Sequence, residues 1–316
     1  MKTVTLGKTG IQVPILAMGA ASLGSIYHPV SQQQADETVA TALQNGVNYF
    51  DVAPYYGLTK AETALGRALK GVPRSNYTLA TKVGRYGDSQ WDFSRDTTLR
   101  SIDESLARLG TDYIDVIQCH DVEYGDIEQI REEALPLLRE LKKQGIVRQI
   151  GITGYQLNML EQLALQEQVD TVMAYCTWTL QDRRLGKVAK RLNAAGIGVL
   201  NASPLGMGLL TRSGAPDWHP AHQDVLQTCR EVAQLCERAG QNISQVALQF
   251  ALTTATDNGI ATTVIGTASA ENMLDNVRWS AQSVDASLLA EINTLMAPVL
   301  NLGWDILPGN GGKANK

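Results

Sequence analysis

The chain has little cysteine, little histidine and no excess of positive charge. Among 316 residues there are four cysteines, Cys119, Cys176, Cys229 and Cys236, none in a CxxC spacing and all inside apolar segments. That pattern argues against a disulfide framework or a cysteine-bound zinc and predicts reduced, packed thiols. Cys176 follows a strand end, so it is a candidate for an oxidation-sensitive thiol, with simple packing the favoured alternative. Lys and Arg total 27 against 32 Asp and Glu, a net charge of −5 with a pI near 5.5. This leaves no basic footprint for nucleic acid or an anionic membrane. No stretch approaches the roughly 20 apolar residues of a membrane span, and the first residues lack the apolar run of a signal peptide. A soluble, cytoplasmic protein is expected. Of four histidines, His219-x-x-His222 is a candidate ligand pair, but His28 and His120 are distant in sequence and no cysteine is near. No metal site is expected.

Apolar residues make up 44% of the chain, enough for one large barrel or two ordinary domains. Residues 3–6 and 11–13 flank Gly7-Lys8-Thr9-Gly10, a hairpin signal expected to plug the bottom of a barrel. Strands follow at 15–18, 47–50, 77–82, 113–120, 147–153, 171–175, 198–201 and 262–265. Helices alternate with them. Ser31-Gln-Gln-Gln34 opens the first with a capping-box pattern, and Thr59-Lys-Ala-Glu62 caps the second. The third, from near Ser94, carries Leu99, Ile102, Leu106 and Leu109 as core contacts. Later helices are expected at 127–144, 157–165, 183–195 and 244–254, and one opens at Gly266-Thr-Ala-Ser269. Arg183 and Arg184 are expected to be solvated. Helices are also expected at 222–239 and 285–295. With no internal linker, the expectation is one (β/α)8 TIM barrel domain over 1–316, with an N-terminal β-hairpin and two extra helices. Its tail, about 306–316, is expected to be loose.

Three successive strands close on Asp51, Lys82 and His120, and Tyr56 lies in the loop after the first, between Pro54 and Gly57. The carboxyl end of barrel strands is the catalytic face, where an ionised group needs a partner. A free phenol has a pKa of about 10, and an ammonium within about 4–6 Å would lower it. Lys82 is expected to do so, Asp51 to aim Lys82, and His120 to hydrogen-bond the same reacting oxygen. Such a set moves a proton at an oxygen while hydride is exchanged at the adjacent carbon, which implies a nicotinamide cofactor.

Asp51-x-Ala-x-x-Tyr56-Gly57, with Lys82 and His120, resembles the catalytic tetrad of the aldo-keto reductases, and the spacing selects Tyr56 over Tyr55. Cys119-His-Asp-Val-Glu-Tyr-Gly125, Ala202-Ser-Pro-Leu-Gly-Met-Gly-Leu-Leu-Thr211 and Pro216-Asp-Trp-His-Pro220 resemble the L-galactose dehydrogenases of ascorbate synthesis. L-Fucose and D-threo-aldose 1-dehydrogenases look similar too. The likeness runs from the hairpin to Trp304. It implies oxidation of an aldose, L-galactose first, to the aldonolactone with NAD. The cofactor is expected to meet Ser203, Leu205, Gly206 and Gly208 in one loop, and Gly266, Thr267, Ser269, Glu271, Asn272 and Asn276 in another. A Rossmann fingerprint is rejected, because Gly206-x-Gly208 lacks its third glycine. NAD is preferred to NADP because 266–272 holds Glu271 and no Lys or Arg; Arg183, Arg184 and Arg278 are the basic residues able to reach a 2′-phosphate. Leu23, Tyr86, Trp91, Asp121 and Glu123 are expected to contact the sugar. Three alternatives stand beside this reading: an NADPH-dependent carbonyl reductase, a cofactor-binding regulatory subunit, and a phosphate-dependent barrel isomerase. Oligomeric state is left open.

Overall fold

The computed structural model describes residues 1–304. Its strands are β1 (Thr3–Thr5), β2 (Gln12–Pro14), β3 (Leu16–Gly19), β4 (Tyr49–Asp51), β5 (Thr78–Val83), β6 (Arg85–Gly87), β7 (Gln90–Trp91), β8 (Ile114–Cys119), β9 (Val147–Gly154), β10 (Thr171–Tyr175), β11 (Gly198–Ala202) and β12 (Thr262–Gly266). Eight of them, β3, β4, β5, β8, β9, β10, β11 and β12, close a parallel barrel, with Met18 of β3 in register with Ile265 of β12. Helices cover the outer face and side chains fill the inside, so these strands are apolar on both faces. The interior packs Ala17, Tyr49, Ala80, Val116, Met173, Leu200 and Val264, small against large.

The β1–β2 hairpin closes the end opposite the strand carboxyl termini, as expected. Leu6 and Val13 join the interior cluster, and Lys8 donates its N–H to the Gly196 carbonyl at 2.8 Å. Gly7 has φ +55°, and a Cβ there would stand 2.4 Å from the Gly198 nitrogen. Only glycine fits that approach. The two added helices, Gln223–Arg238 and Ala286–Met296, bury Val225, Val232, Leu288 and Ile292 in a cluster shared with Cys176, Val246 and Phe250.

Four expectations need correction. Thr59 is not a cap: its φ is +73° and its side chain caps nothing. Glu62 turns inward instead, accepting bonds from Thr81 Oγ1 at 2.6 Å and Arg108 Nε at 2.7 Å. Leu99 is exposed, because helix Arg95–Leu109 turns Thr98, Ser101, Ile102 and Ser105 inward. The helix expected at 127–144 contains a π-helical turn, Ile130–Ala134, which ends two residues before Pro136. Proline has no N–H to offer the carbonyl four residues back, so the ladder shifts there. Arg183 and Arg184 are not simply solvated: Arg184 holds the fully buried Asp182 at 2.6 Å and the Tyr155 hydroxyl at 3.0 Å, while Arg183 donates to Asn293 Oδ1 at 2.6 Å. The small β6–β7 hairpin over the barrel mouth was not anticipated from the sequence. The expected loose tail lies outside the described residues. Among those described, no helix is long and apolar enough to cross a membrane.

Candidate active site

β4, β5 and β8 are neighbours in the barrel, with Asp51 beside Ala80 and Lys82 beside Gln118 in register. Their carboxyl ends therefore converge. Lys82 Nζ lies 2.5 Å from Asp51 Oδ1 and 2.9 Å from the Val52 carbonyl, and Gln118 Nε2 donates to Asp51 Oδ2 at 3.0 Å. All three strand-end groups, Asp51, Lys82 and His120, are buried. Tyr56 comes up from the loop after β4: Lys82 Nζ is 4.8 Å from its ring centroid, and its ring meets His120 edge-on at 5.5 Å and 89°. The structure brings the four together.

Their acidities differ from the expectation in one respect. Burial first, then the charges of Asp51 and Asp121, pushes the Tyr56 phenol well above 10, and the opposing pull of Arg85 does not offset them. The Lys82 charge is engaged by Asp51 rather than spent on the phenol, so the resting tyrosine holds its proton. His120 is pushed well below 6.5 by burial and then by Lys82 and Arg85. It is neutral, and its Nδ1 has no partner.

Arg85 and Tyr55 were missed by sequence reasoning, although an arginine three residues beyond the strand-end lysine was a usable signal. Arg85 forms an ion pair with Asp121, lies 3.8 Å from the Tyr55 ring centroid and 5.1 Å from that of Trp91. Asp121 donates its N–H to Thr153 Oγ1 at 3.0 Å, and its Oδ2 is 3.7 Å from His120 Nε2. Glu123 accepts from the Tyr155 N–H at 2.6 Å, while its Oε2 has no partner. Burial and the Asp121 charge push this carboxyl up to about 7. Gly154 makes room for it, since a Cβ there would sit 2.2 Å from Oε2. Trp91 packs on Tyr124 with ring centroids 5.2 Å apart. Trp91, Asp121 and Glu123 thus gather beside the tetrad. Tyr86 does not. Leu23, in the 3-10 turn Ala21–Gly24, is buried with Ala35, Val39 and Ala61 in the cluster against which Tyr56 also packs. Tyr86 accepts from the Gly84 N–H at 3.1 Å and faces a groove with Arg100 and Ser101. Successive strand residues point to opposite sides, so Arg85 facing the tetrad turns Tyr86 away.

Ser203, Gly206, Met207 and Gly208, in the loop after β11, all have positive φ. Ser203 donates its N–H to the Val264 carbonyl at 3.2 Å, which sets this loop beside β12. Leu205 is partly buried between two core clusters. Gly266 is exposed at the end of β12, Thr267 is buried, and Ser269 caps helix Ala270–Ser280 by accepting from the Asn272 N–H at 3.2 Å. Glu271 and Asn272 are exposed on its first turn, and Asn276 is buried on its inner side. Arg278 is engaged by Asp275 at 2.5 Å. Cys176 is buried and burial pushes its thiol well up, as a packed thiol requires. His219 Nε2 meets the Gly206 carbonyl at 2.9 Å, and His222 caps its own helix. Among the described residues no group of three or more potential ligands could hold a metal ion.

The aldo/keto reductase family model matches residues 15–297. An L-galactose dehydrogenase of Arabidopsis thaliana is 39% identical over 308 residues, 95% of each chain. A D-arabinose 1-dehydrogenase of Saccharomyces cerevisiae is 32% identical over 279 residues, 83% of this chain and 82% of that one. The solved holo form of an aldo-keto reductase from Bacillus halodurans superposes with a TM-score of 0.77 at 26% identity, covering 93% of this chain and 96% of that one.

Proposed function

The chain belongs to the aldo/keto reductase family, and on that premise we propose that it is an aldose 1-dehydrogenase, oxidising the anomeric carbon of L-galactose to the lactone with NAD. The observation that carries this is the Lys82–Asp51 pair packed against Tyr56 and His120 in a chain similar over its length to two sugar dehydrogenases. L-Galactose and D-arabinose share their configuration at carbons 2 to 4, so one pocket would read both. When bound, NAD supplies the hydride acceptor, which no side chain can replace. Exposed Gly266 and the first turn of helix Ala270–Ser280 form an open helix N-terminus suited to the cofactor's phosphates, with Ser203 and Gly206 in the adjacent loop. Glu271 in that turn, and Arg278 already engaged by Asp275, favour a ribose hydroxyl over a 2′-phosphate.

Tyr56 handles the proton. Its phenol is protonated at rest, ready to donate to a carbonyl oxygen, and must be deprotonated before it takes the proton of an anomeric hydroxyl. Sugar oxidation is therefore faster at higher pH. Lys82, fixed by Asp51 and the Val52 carbonyl, keeps a positive charge against the phenol ring. Neutral His120 orients the reacting oxygen, and Arg85, Asp121 and Glu123 offer bonds to neighbouring hydroxyls. Tyr56→Phe should lower turnover by about a hundredfold or more while NAD still binds. Near-normal turnover in that variant removes the assignment; equal rates on D-glucose and L-galactose, followed by reduced-nicotinamide absorbance, remove the sugar.

A further inference from the structure

The loop after β11 carries its own strain. Ser203 and Met207 are non-glycine residues at φ +55° and +52°, with Gly206 at +57° and Gly208 at +99°. Left-handed backbone is unfavourable for a non-glycine residue, and it persists where neighbours over-determine it. The neighbour here is His219. The Gly206 carbonyl accepts from the Leu209 N–H at 3.1 Å within the turn and meets His219 Nε2 at 2.9 Å from outside it. On the other side of the ring, the Ala221 N–H donates to His219 Nδ1 at 3.2 Å. An N–H needs an acceptor and a carbonyl needs a donor, so the imidazole is neutral with its proton on Nε2. Its edge packs on the Trp304 ring, 5.0 Å between centroids at 76°, and Trp304 in turn stacks on Tyr155 at 5.2 Å. Tyr155 is the residue whose N–H holds Glu123.

We propose that His219 is a positioning residue for the cofactor: by donating to the Gly206 carbonyl it locks the strained 203–208 loop in the form that receives NAD. The imidazole ties that loop, through Trp304 and Tyr155, to the wall that carries Glu123. This rests on the reading that the 203–208 loop binds the cofactor. Losing one such bond is worth about 1 kcal/mol, and a loop whose competent fraction fell to about one fifth would show an apparent Kd raised about fivefold.

The test separates the two nitrogens. In His219→Asn the amide oxygen can replace Nδ1 toward Ala221 but nothing reaches Gly206; in His219→Gln the amide nitrogen reaches the Nε2 position. NAD binding is measured by fluorescence titration, and amide hydrogen exchange of residues 203–210 is followed with and without NAD. The expected result is about fivefold weaker NAD binding and faster exchange of the loop in His219→Asn, kcat at saturating NAD within twofold of the parent, and recovery toward the parent in His219→Gln. An unchanged Kd and unchanged exchange in His219→Asn overturn the role of His219. If NAD gives the parent loop no protection at all, it is the cofactor reading of the loop that fails.

Discussion

Glu123→Gln is the perturbation for which the structure gives a sign, a window and a size. The Glu123 carboxyl is held at about 7, against an ordinary 4.5, because it is largely buried and faces the charge of Asp121. Below pH 4.5 it is protonated in folded and unfolded chains alike. Between 4.5 and 7 the folded state binds more protons than the unfolded state, so stability falls as pH rises through that window. The displacement from 4.5 to about 7 corresponds to about 3 kcal/mol lost by pH 8. Glutamine cannot ionise, and its carbonyl still accepts the Tyr155 N–H. Urea unfolding of both proteins at pH 5, 6, 7 and 8 should show the variant gaining on the parent by about 2–3 kcal/mol across the series, most of it between pH 5 and 7. The sugar KM of the parent should also break near pH 7 and that of the variant should not, since a protonated carboxyl donates to a hydroxyl and a carboxylate only accepts. Parallel stability curves over the series would refute the reasoning, because they would mean that Glu123 ionises in the folded protein as easily as in the unfolded chain.

Two further expectations concern the framework and one the cofactor. Gly7→Ala should cost about 2 kcal/mol or more in chemical unfolding, because the methyl would meet the Gly198 backbone at 2.4 Å on a residue with positive φ; a loss under 0.5 kcal/mol would show that the hairpin does not plug the barrel tightly. Glu62→Ala should cost about 3–5 kcal/mol, since it strips the partner of Arg108 Nε and of the buried Thr81 hydroxyl, whereas Glu104→Ala, removing the exposed second partner of Arg108, should cost under about 1 kcal/mol; equal losses would contradict the difference in burial. The ratio of kcat/KM with NAD to that with NADP at one L-galactose concentration should exceed ten, because no Lys or Arg stands in 266–272. A ratio below one would locate a 2′-phosphate clamp elsewhere, with Arg278→Ala as the next variant.

Much of this protein was legible in its sequence because period and punctuation are local properties. Eight apolar strand patterns separated by helical ones dictate a parallel barrel, and all eight strands fall within a few residues of their expected places. The convergence of Asp51, Lys82 and His120 was readable for the same reason: in a barrel of consecutive neighbours, residues that end successive strands share one face. What local pattern does not encode is which way a side chain turns and what neutralises it. Leu99 fits a helical stripe yet lies outside it, and Thr59 with Glu62 spells a capping box that a half-buried arginine, Arg108, pulls apart. Arg85 and Tyr86 are adjacent in sequence, and only the hairpin sends one to the tetrad and the other to the far groove. The sequence by itself determined the barrel and which strand-end residues meet at its carboxyl face. Their protonation states were decided by the tertiary structure alone, since burial of Tyr56, His120 and Glu123, and the charges that face them, come from residues tens of positions away brought within a few ångströms.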